Sequence, residues 1–304
     1  MTKPYTPTWR SMLFVPAHID KFIQSALRRN ADAIQLDLED ACPPDLKADT
    51  RKEIPRIAQQ AADAGFDVIV RVNRPWRLLV RDLEACVHPA VQAITLPKVP
   101  DGSFLRSVCE ILDECEAQAG LPNGHTRLIA MVEDAEGLGN LDDIASATPR
   151  LYGVIVGAED LAVSMRMAVD PDTLYVPNIM ALTACRRAGV APLGFIGSVA
   201  DYADQDKFRE TVQRASRLGF EGAFCVHPTQ VDAANEAFSP DPEAVDRARR
   251  LLATYEAEMA AGRGACTFEG RMVDAPVAMQ AQQLIERADA IEAMTQRRQS
   301  KQAE

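Results

Sequence analysis

Paired cysteines, clustered histidines and long apolar runs are all missing from this chain. Its seven cysteines (Cys42, Cys86, Cys109, Cys115, Cys185, Cys225 and Cys266) are scattered, odd in number and never spaced Cys-x-x-Cys. That pattern points away from a disulfide framework and toward free thiols in a reducing cytoplasm. The four histidines show no His-x-x-x-His spacing, which argues against zinc. No apolar stretch approaches the roughly 20 residues of a membrane span, and residues 1–7 lack the apolar core of a signal peptide. Basic residues are outnumbered, 33 against 44 acidic ones, for a net charge of −11. A nucleic-acid surface is therefore not expected, although a local basic pocket for an anionic ligand is compatible with this balance. The expectation is a soluble cytoplasmic protein without membrane or nucleic-acid partners.

What is present is a large apolar fraction, 47% of 304 residues, enough for a sizeable core. Short apolar runs recur along the chain at 11–15, 33–40, 67–73, 91–98, 128–132, 152–156, 191–196 and 222–226. Each reads as a buried parallel strand. Helical patterns lie between them, notably over 103–119, 176–188 and 206–218. Eight strands alternating with helices predict an α/β fold, a (β/α)₈ TIM barrel, over residues 1–235. A doubly wound open sheet would use the same alternation, but no Gly-x-Gly-x-x-Gly follows the first strand. Residues 236–304 change character and predict a C-terminal helical extension. A helix starts near Pro240 and Pro242 and runs to about 261, a turn-rich segment spans 266–276, and a last helix covers about 277–298. This tail is too small for a domain and reads as a lid or an arm onto a neighbouring subunit. Residues 1–9 read as a Pro/Thr-rich lead-in.

Several runs end in charge. Arg10 lies near the first, Glu39 and Asp40 follow the second, Arg71 and Asn73 the third, and Lys98 the fourth; Glu133, Asp160 and His227 follow the fifth, sixth and eighth. In a barrel such strand ends converge on one face. Glu133 and Asp160, without Cys or His beside them, suit a hard cation such as Mg²⁺; they could equally be solvated loop acids. Arg71 has the planar fork that grips a carboxylate, or it forms an ion pair with Glu39 or Asp40. His18, His88 and His125 read as surface or packing residues, and His227 as a cap on its strand.

The chain also resembles a known family. The stretches Arg10-Ser11-Met12-Leu13-Phe14-Val15-Pro16, Leu36-Asp37-Leu38-Glu39-Asp40-Ala41, Arg71-Val72-Asn73, Leu96-Pro97-Lys98, Val132-Glu133 and Gly157-Ala158-Glu159-Asp160 are in order, as are His227-Pro228-Thr229-Gln230 and Gly270-Arg271-Met272-Val273-Asp274-Ala275-Pro276. As a set they resemble the HpcH/HpaI aldolase and citrate lyase β-subunit family, in its malyl-CoA and citramalyl-CoA lyase branch. The resemblance implies a barrel in a homotrimer or hexamer, Mg²⁺ on Glu133 and Asp160, and Arg71 on an α-keto acid carboxylate. It implies Asp274 as the acid/base delivered to a neighbouring subunit's site. Phe14, Lys21 and Glu39 would line the acyl-CoA site, with Arg10, Lys47 and Arg51 as phosphate or adenine-side contacts.

The implied activity is Mg²⁺-dependent carbon–carbon bond cleavage or formation, splitting a 3-hydroxyacyl-CoA thioester such as citramalyl-CoA or malyl-CoA into an acyl-CoA and an α-keto acid, pyruvate or glyoxylate. Alternatives are a malate-synthase-like condensation, a malyl-CoA thioesterase, and a non-catalytic or carrier-dependent subunit. One departure stands out. On the seventh strand the family usually carries an Asp where this chain has Leu193, which predicts a more apolar pocket or reduced activity.

Overall fold

Every one of the eight apolar runs becomes a parallel strand in the computed structural model, which describes residues 8–200 and 202–303. They are β1 (Ser11–Pro16), β2 (Ala33–Asp37), β3 (Asp67–Arg71), β4 (Ala93–Leu96), β5 (Arg127–Val132), β6 (Leu151–Val156), β7 (Ala191–Leu193) and β8 (Ala223–Cys225). From β1 to β7 each pairs in parallel with the next, and β1 pairs with β8. The ring closes through a bridge between Leu193 and Gly222. There Gly194 N–H donates to the Gly222 carbonyl at 2.8 Å and Glu221 N–H to Pro192 at 3.0 Å. That closure selects the barrel over the open sheet.

The connecting helices are α1 (Asp20–Ala26), α2 (Lys47–Asp63), α3 (Trp76–Cys86), α4 (Gly102–Gln118), α5 (Ala135–Gly139), α6 (Leu141–Ser146), α7 (Ala158–Met165), α8 (Pro171–Ala188), α9 (Gln205–Leu218) and α10 (Thr229–Phe238). No helix among the described residues is long and apolar enough to cross a membrane. Strand alternation sorts the core. Leu13, Val15, Ile34, Leu36, Val68, Val70, Ile94 and Leu96 join the layer beneath the helices. Their alternates Gln35, Asp37, Arg71 and Thr95 point into the barrel. The Thr95 hydroxyl donates to the Gln35 side-chain oxygen at 2.6 Å, from β4 to β2 across the interior.

The N-terminal end of the barrel is stopped by Trp9, which the sequence placed in a lead-in. It is fully buried. Its indole N–H donates to Asp67 at 2.9 Å, and its ring lies 4.6 Å from that of Tyr152. The indole combines a large apolar body with one donor, so a buried carboxylate answers it. Gly222 passes directly over this plug; a Cβ there would lie 2.0 Å from the Trp9 carbonyl oxygen.

Contacts divide the chain into two units, Trp9–Phe238 and a second one that begins at Ser239. The second holds α11 (Pro242–Ala260), β9 (Cys266–Phe268), β10 (Arg271–Val273) and α12 (Ala275–Ala303). Its small core joins Ala248, Leu251, Val273 and Ala281. The stretch read from sequence as turn-rich is an antiparallel hairpin. Glu269 (φ 49) and Gly270 (φ 76) both take left-handed backbone at its tip, as a two-residue hairpin turn of the primed kind requires. Arg247 holds the Glu269 carboxylate at 2.7 Å.

Gly222→Ala should force the closing strand away from Trp9 and cost about 2–4 kcal/mol. Urea unfolding of the variant against wild type checks this; an unchanged midpoint would show that the seam has room to spare.

Candidate active site

Arg71, the last residue of β3, organises the C-terminal rim. Its Nε and Nη2 donate to the two oxygens of Asp37 at 2.8 and 2.7 Å. Its Nη1 lies 2.9 Å from Glu39 and 3.5 Å from Asp40. The sequence reading weighed Glu39 and Asp40 as partners and passed over Asp37, which holds the fork bidentately. Asp37 also turns the chain, accepting from Glu39 N–H at 2.9 Å and Ala41 N–H at 3.1 Å. This Asx-type turn ends β2 at residue 37 and throws Glu39 and Asp40 over the rim. Phe14 joins the group, with its ring 4.9 Å from the Arg71 guanidinium carbon and 5.1 Å from Phe224.

The second half of the rim is Glu133 and Asp160. Glu133 is 5% exposed, and its carboxylate accepts from Lys98 N–H at 2.8 Å. It lies across Gly157, where a Cβ would come within 2.5 Å of its side chain. Glycine is needed there because the carboxylate occupies the space. Asp160, in the first turn of α7, is 3.5 Å from the Lys98 ammonium. Burial raises the Glu133 carboxyl above its ordinary value; Lys98 N–H opposes this and Asp160 adds to it. Glu39 is pushed further, from 4.5 to about 8, by burial, with Arg71 opposing and Asp40 and Glu133 adding. Arg71 cannot prevent this, because Asp37 already neutralises its fork.

The remaining expected residues separate into three groups. Arg10 precedes β1, so it lies at the opposite, N-terminal end of the barrel, where Nε and Nη2 grip Asp32 at 2.7 Å each. This corrects its placement with the rim. Arg51 and Lys47 stand behind the rim as supports. Arg51 Nε bonds the fully buried Asp82 at 2.5 Å. Asp82 in turn accepts from Asn73 N–H at 2.9 Å and from its side-chain amide at 2.7 Å. Lys47 donates to the carbonyls of Leu38 and Glu39 at 3.0 and 2.7 Å and to the Asn73 side chain. Lys47 is committed to the turn and Arg51 Nε to Asp82, while Arg51 Nη2 is buried without a hydrogen-bond partner. Lys21 is exposed in the first turn of α1, just past β1. His227 stacks on Tyr202, with centroids 5.0 Å apart, and shares a hydrogen bond with Thr229 at 2.8 Å.

Asp274 belongs to the C-terminal unit, where it caps α12 through a contact of 3.4 Å from Val277 N–H. Leu193 ends β7, is 1% exposed, and pairs in register with Ile155.

Asp37, Glu39, Asp40, Glu133 and Asp160 are thus answered by Arg71 and Lys98. The excess of negative charge and the all-oxygen donors fit a hard divalent cation. Among the described residues no group of three or more His, Cys, Asp or Glu side chains forms a ready-made metal cage. A cation on Glu133 and Asp160 would therefore complete its shell with water or substrate oxygens, as Mg²⁺ does.

The fold is a (β/α)₈ barrel, and its charged residues gather at the C-terminal strand ends, where barrels of this kind carry their sites. Comparison with known proteins sharpens the class. The HpcH/HpaI aldolase/citrate lyase family model matches residues 10–228. The citrate lyase β subunit of Leuconostoc mesenteroides subsp. cremoris is 30% identical over 285 residues, covering 92% of this chain and 93% of that protein. The L-malyl-CoA/β-methylmalyl-CoA lyase of Rhodobacter capsulatus is 32% identical over 297 residues, covering 90% and 91%. A crystal structure of CitE from Mycobacterium tuberculosis with magnesium, acetoacetate and coenzyme A superposes with a TM-score of 0.68 at 28% identity, covering 92% and 97%. The chain belongs to the HpcH/HpaI aldolase/citrate lyase family, and it is a lyase.

The Glu39 shift gives a pH test. An acid whose folded value is raised stabilises the fold below its unfolded value and loses that contribution as pH rises through the folded one. Between pH 5 and 8.5 in EDTA, wild type should therefore lose up to about 3 kcal/mol relative to Glu39→Gln. Paired urea titrations at both pH values measure this; a constant difference would show Glu39 ionised throughout.

Proposed function

We propose that this protein is a Mg²⁺-dependent carbon–carbon lyase acting on a 3-hydroxyacyl-CoA thioester and yielding an acyl-CoA and an α-keto acid. The observation that carries this is the pairing of two rim carboxylates, Glu133 and Asp160, with an arginine fork on the same rim. The citrate lyase and malyl-CoA lyase relatives, and the CitE structure holding magnesium, acetoacetate and coenzyme A, support the substrate class.

Bound at Glu133 and Asp160, a divalent cation supplies Lewis-acid polarisation of a substrate oxygen and neutralises developing negative charge. Three of the five Arg71 N–H donors are engaged by Asp37 and Glu39. Nη1 also faces Asp40 at 3.5 Å; the outer donor of Nη2 is the one left to orient a substrate carboxylate, and Asp37 keeps the fork from swinging. Phe14, stacked against the same guanidinium, gives one wall of the pocket an apolar face. Burial of Glu39 and Glu133 excludes water from this side and strengthens each charge contact. In cleavage, the substrate hydroxyl would give its proton to water; the oxygen then forms the keto acid's C=O as the C–C bond breaks, and the electron pair of that bond passes to the acyl-CoA enolate. Asp274 then protonates the enolate carbon, and in condensation it removes the same proton. The reading includes a homo-oligomer in which one subunit's C-terminal unit lends Asp274 to its neighbour. Leu193, buried where the family usually has a carboxylate, favours an alkyl-bearing substrate such as citramalyl-CoA over malyl-CoA.

Purified protein should release pyruvate from citramalyl-CoA only with Mg²⁺, and Glu133→Gln or Asp160→Asn should lower turnover by at least roughly 100-fold. Free CoA without keto acid would point instead to a thioesterase. Arg71→Ala and Asp274→Asn chains, each inactive alone, should partly recover activity when co-expressed. If mixed oligomers stay silent while both variants fold, Asp274 does not serve a neighbour.

A further inference from the structure

Lys98 touches both carboxylates assigned to the cation, by two different routes. Its backbone sits at φ 51, in the left-handed region that a lysine seldom adopts. That conformation aims its amide N–H at Glu133, 2.8 Å away. From the same residue the side chain reaches back to Asp160 at 3.5 Å. The turn is fixed on either side: Arg74 Nε donates to the Lys98 carbonyl at 3.1 Å, and Val99 N–H donates to the Met131 carbonyl at 3.0 Å. The backbone is therefore pinned, while the ammonium end is open. The Lys98 side chain is 39% exposed and that of Asp160 43%.

Two carboxylates on one rim repel unless a positive charge stands between or beside them. Arg71 is held by Asp37 and Glu39 and cannot fill that part. Lys98 is the cation in contact with Asp160, and its long stem can leave without moving the strand end. We propose that Lys98 is a resident counter-ion of the Glu133–Asp160 pair: its amide anchors Glu133 permanently, and its ammonium holds Asp160 until a divalent cation displaces it. This rests on the reading of Glu133 and Asp160 as the cation's ligands. Lys98 is then a positioning residue with two separable parts. The main-chain donor builds the site before any cation arrives. The ammonium competes with the incoming cation, which weakens its grip and keeps it exchangeable.

The test is Mg²⁺ titration calorimetry, with thermal unfolding in EDTA, on wild type, Lys98→Met, Lys98→Gln, Lys98→Arg and Glu133→Gln. Lys98→Met keeps the amide and removes the charge. It should bind Mg²⁺ roughly three- to tenfold more tightly, melt lower in EDTA, and show a larger rise in Tm on adding Mg²⁺. Lys98→Gln should repeat that pattern, and Lys98→Arg should stay near wild type. An unchanged or weaker Mg²⁺ affinity in Lys98→Met, with Glu133→Gln still losing affinity, overturns the counter-ion role alone. Wild type that takes up no Mg²⁺, or that Glu133→Gln does not weaken, overturns the metal reading and the Lys98 role with it.

Discussion

Like charge crowded onto one rim is the constraint that shapes this molecule. Asp37, Glu39 and Asp40 leave the end of β2, Glu133 that of β5, and Asp160 enters α7 after β6. Left alone, such a group would spread apart or take up protons; Glu39 and Glu133 are pushed upward chiefly by burial, and their carboxylate neighbours add to it. What keeps the carboxylates together is a set of donors that cannot move. Asp37 is locked on Arg71, Glu133 on a main-chain amide, and the Glu39 turn on Lys47.

Those donors need a rigid backing, and the chain supplies it from α2 and α3. Arg51, Asp82 and Asn73 form a buried relay that ties both helices to the turn after β3. Buried ion pairs of this kind add little net stability compared with apolar packing, but losing one partner strands the other. Their value here is positional: the relay ends within hydrogen-bonding distance of the Leu38 carbonyl, next to Glu39. On the opposite end Trp9 and Asp67 close the barrel with the same economy, one donor for one buried acceptor. The C-terminal rim thus stands on polar contacts and the other rim on a packed ring.

Much of this was legible before any coordinates. Each barrel strand was announced by its apolar run, and Glu39, Arg71, Glu133 and Asp160 by the abrupt charge that ended it. Strand ends were read too long, at residue 40 for β2 and 196 for β7, because a β-run does not reveal where a side chain such as Asp37 will capture its own backbone. Asp82 went unnoticed, although its position offered a signal: it falls with Leu79, Leu83 and Cys86 on the buried stripe of α3, where a charge has no reason to be unless it is paired. Arg10 misled because adjacency to a strand does not say which end of the barrel a residue occupies. The hairpin at 266–273 was missed because its strands are three residues each, too short for alternation to be read. Gly157 stood in a family-like stretch, but the reason for it could not be read there, since its necessity lies in a side chain 24 positions earlier (157 − 133).

The seam where the ring closes has a kinetic consequence. β7 and β8 are three residues each and meet at one bridge with two flanking hydrogen bonds. The ladders from β1 through β6 each hold three or more paired positions, with one register shift between β5 and β6. A closed barrel opens where its ladder is thinnest, so amide exchange at Gly194 and Glu221 should run ahead of exchange across β2 and β3. The Arg71–Asp37 fork lies three or four strands from that gap around the ring. The protein can therefore breathe at its seam, letting water reach the interior, without loosening the charge lock.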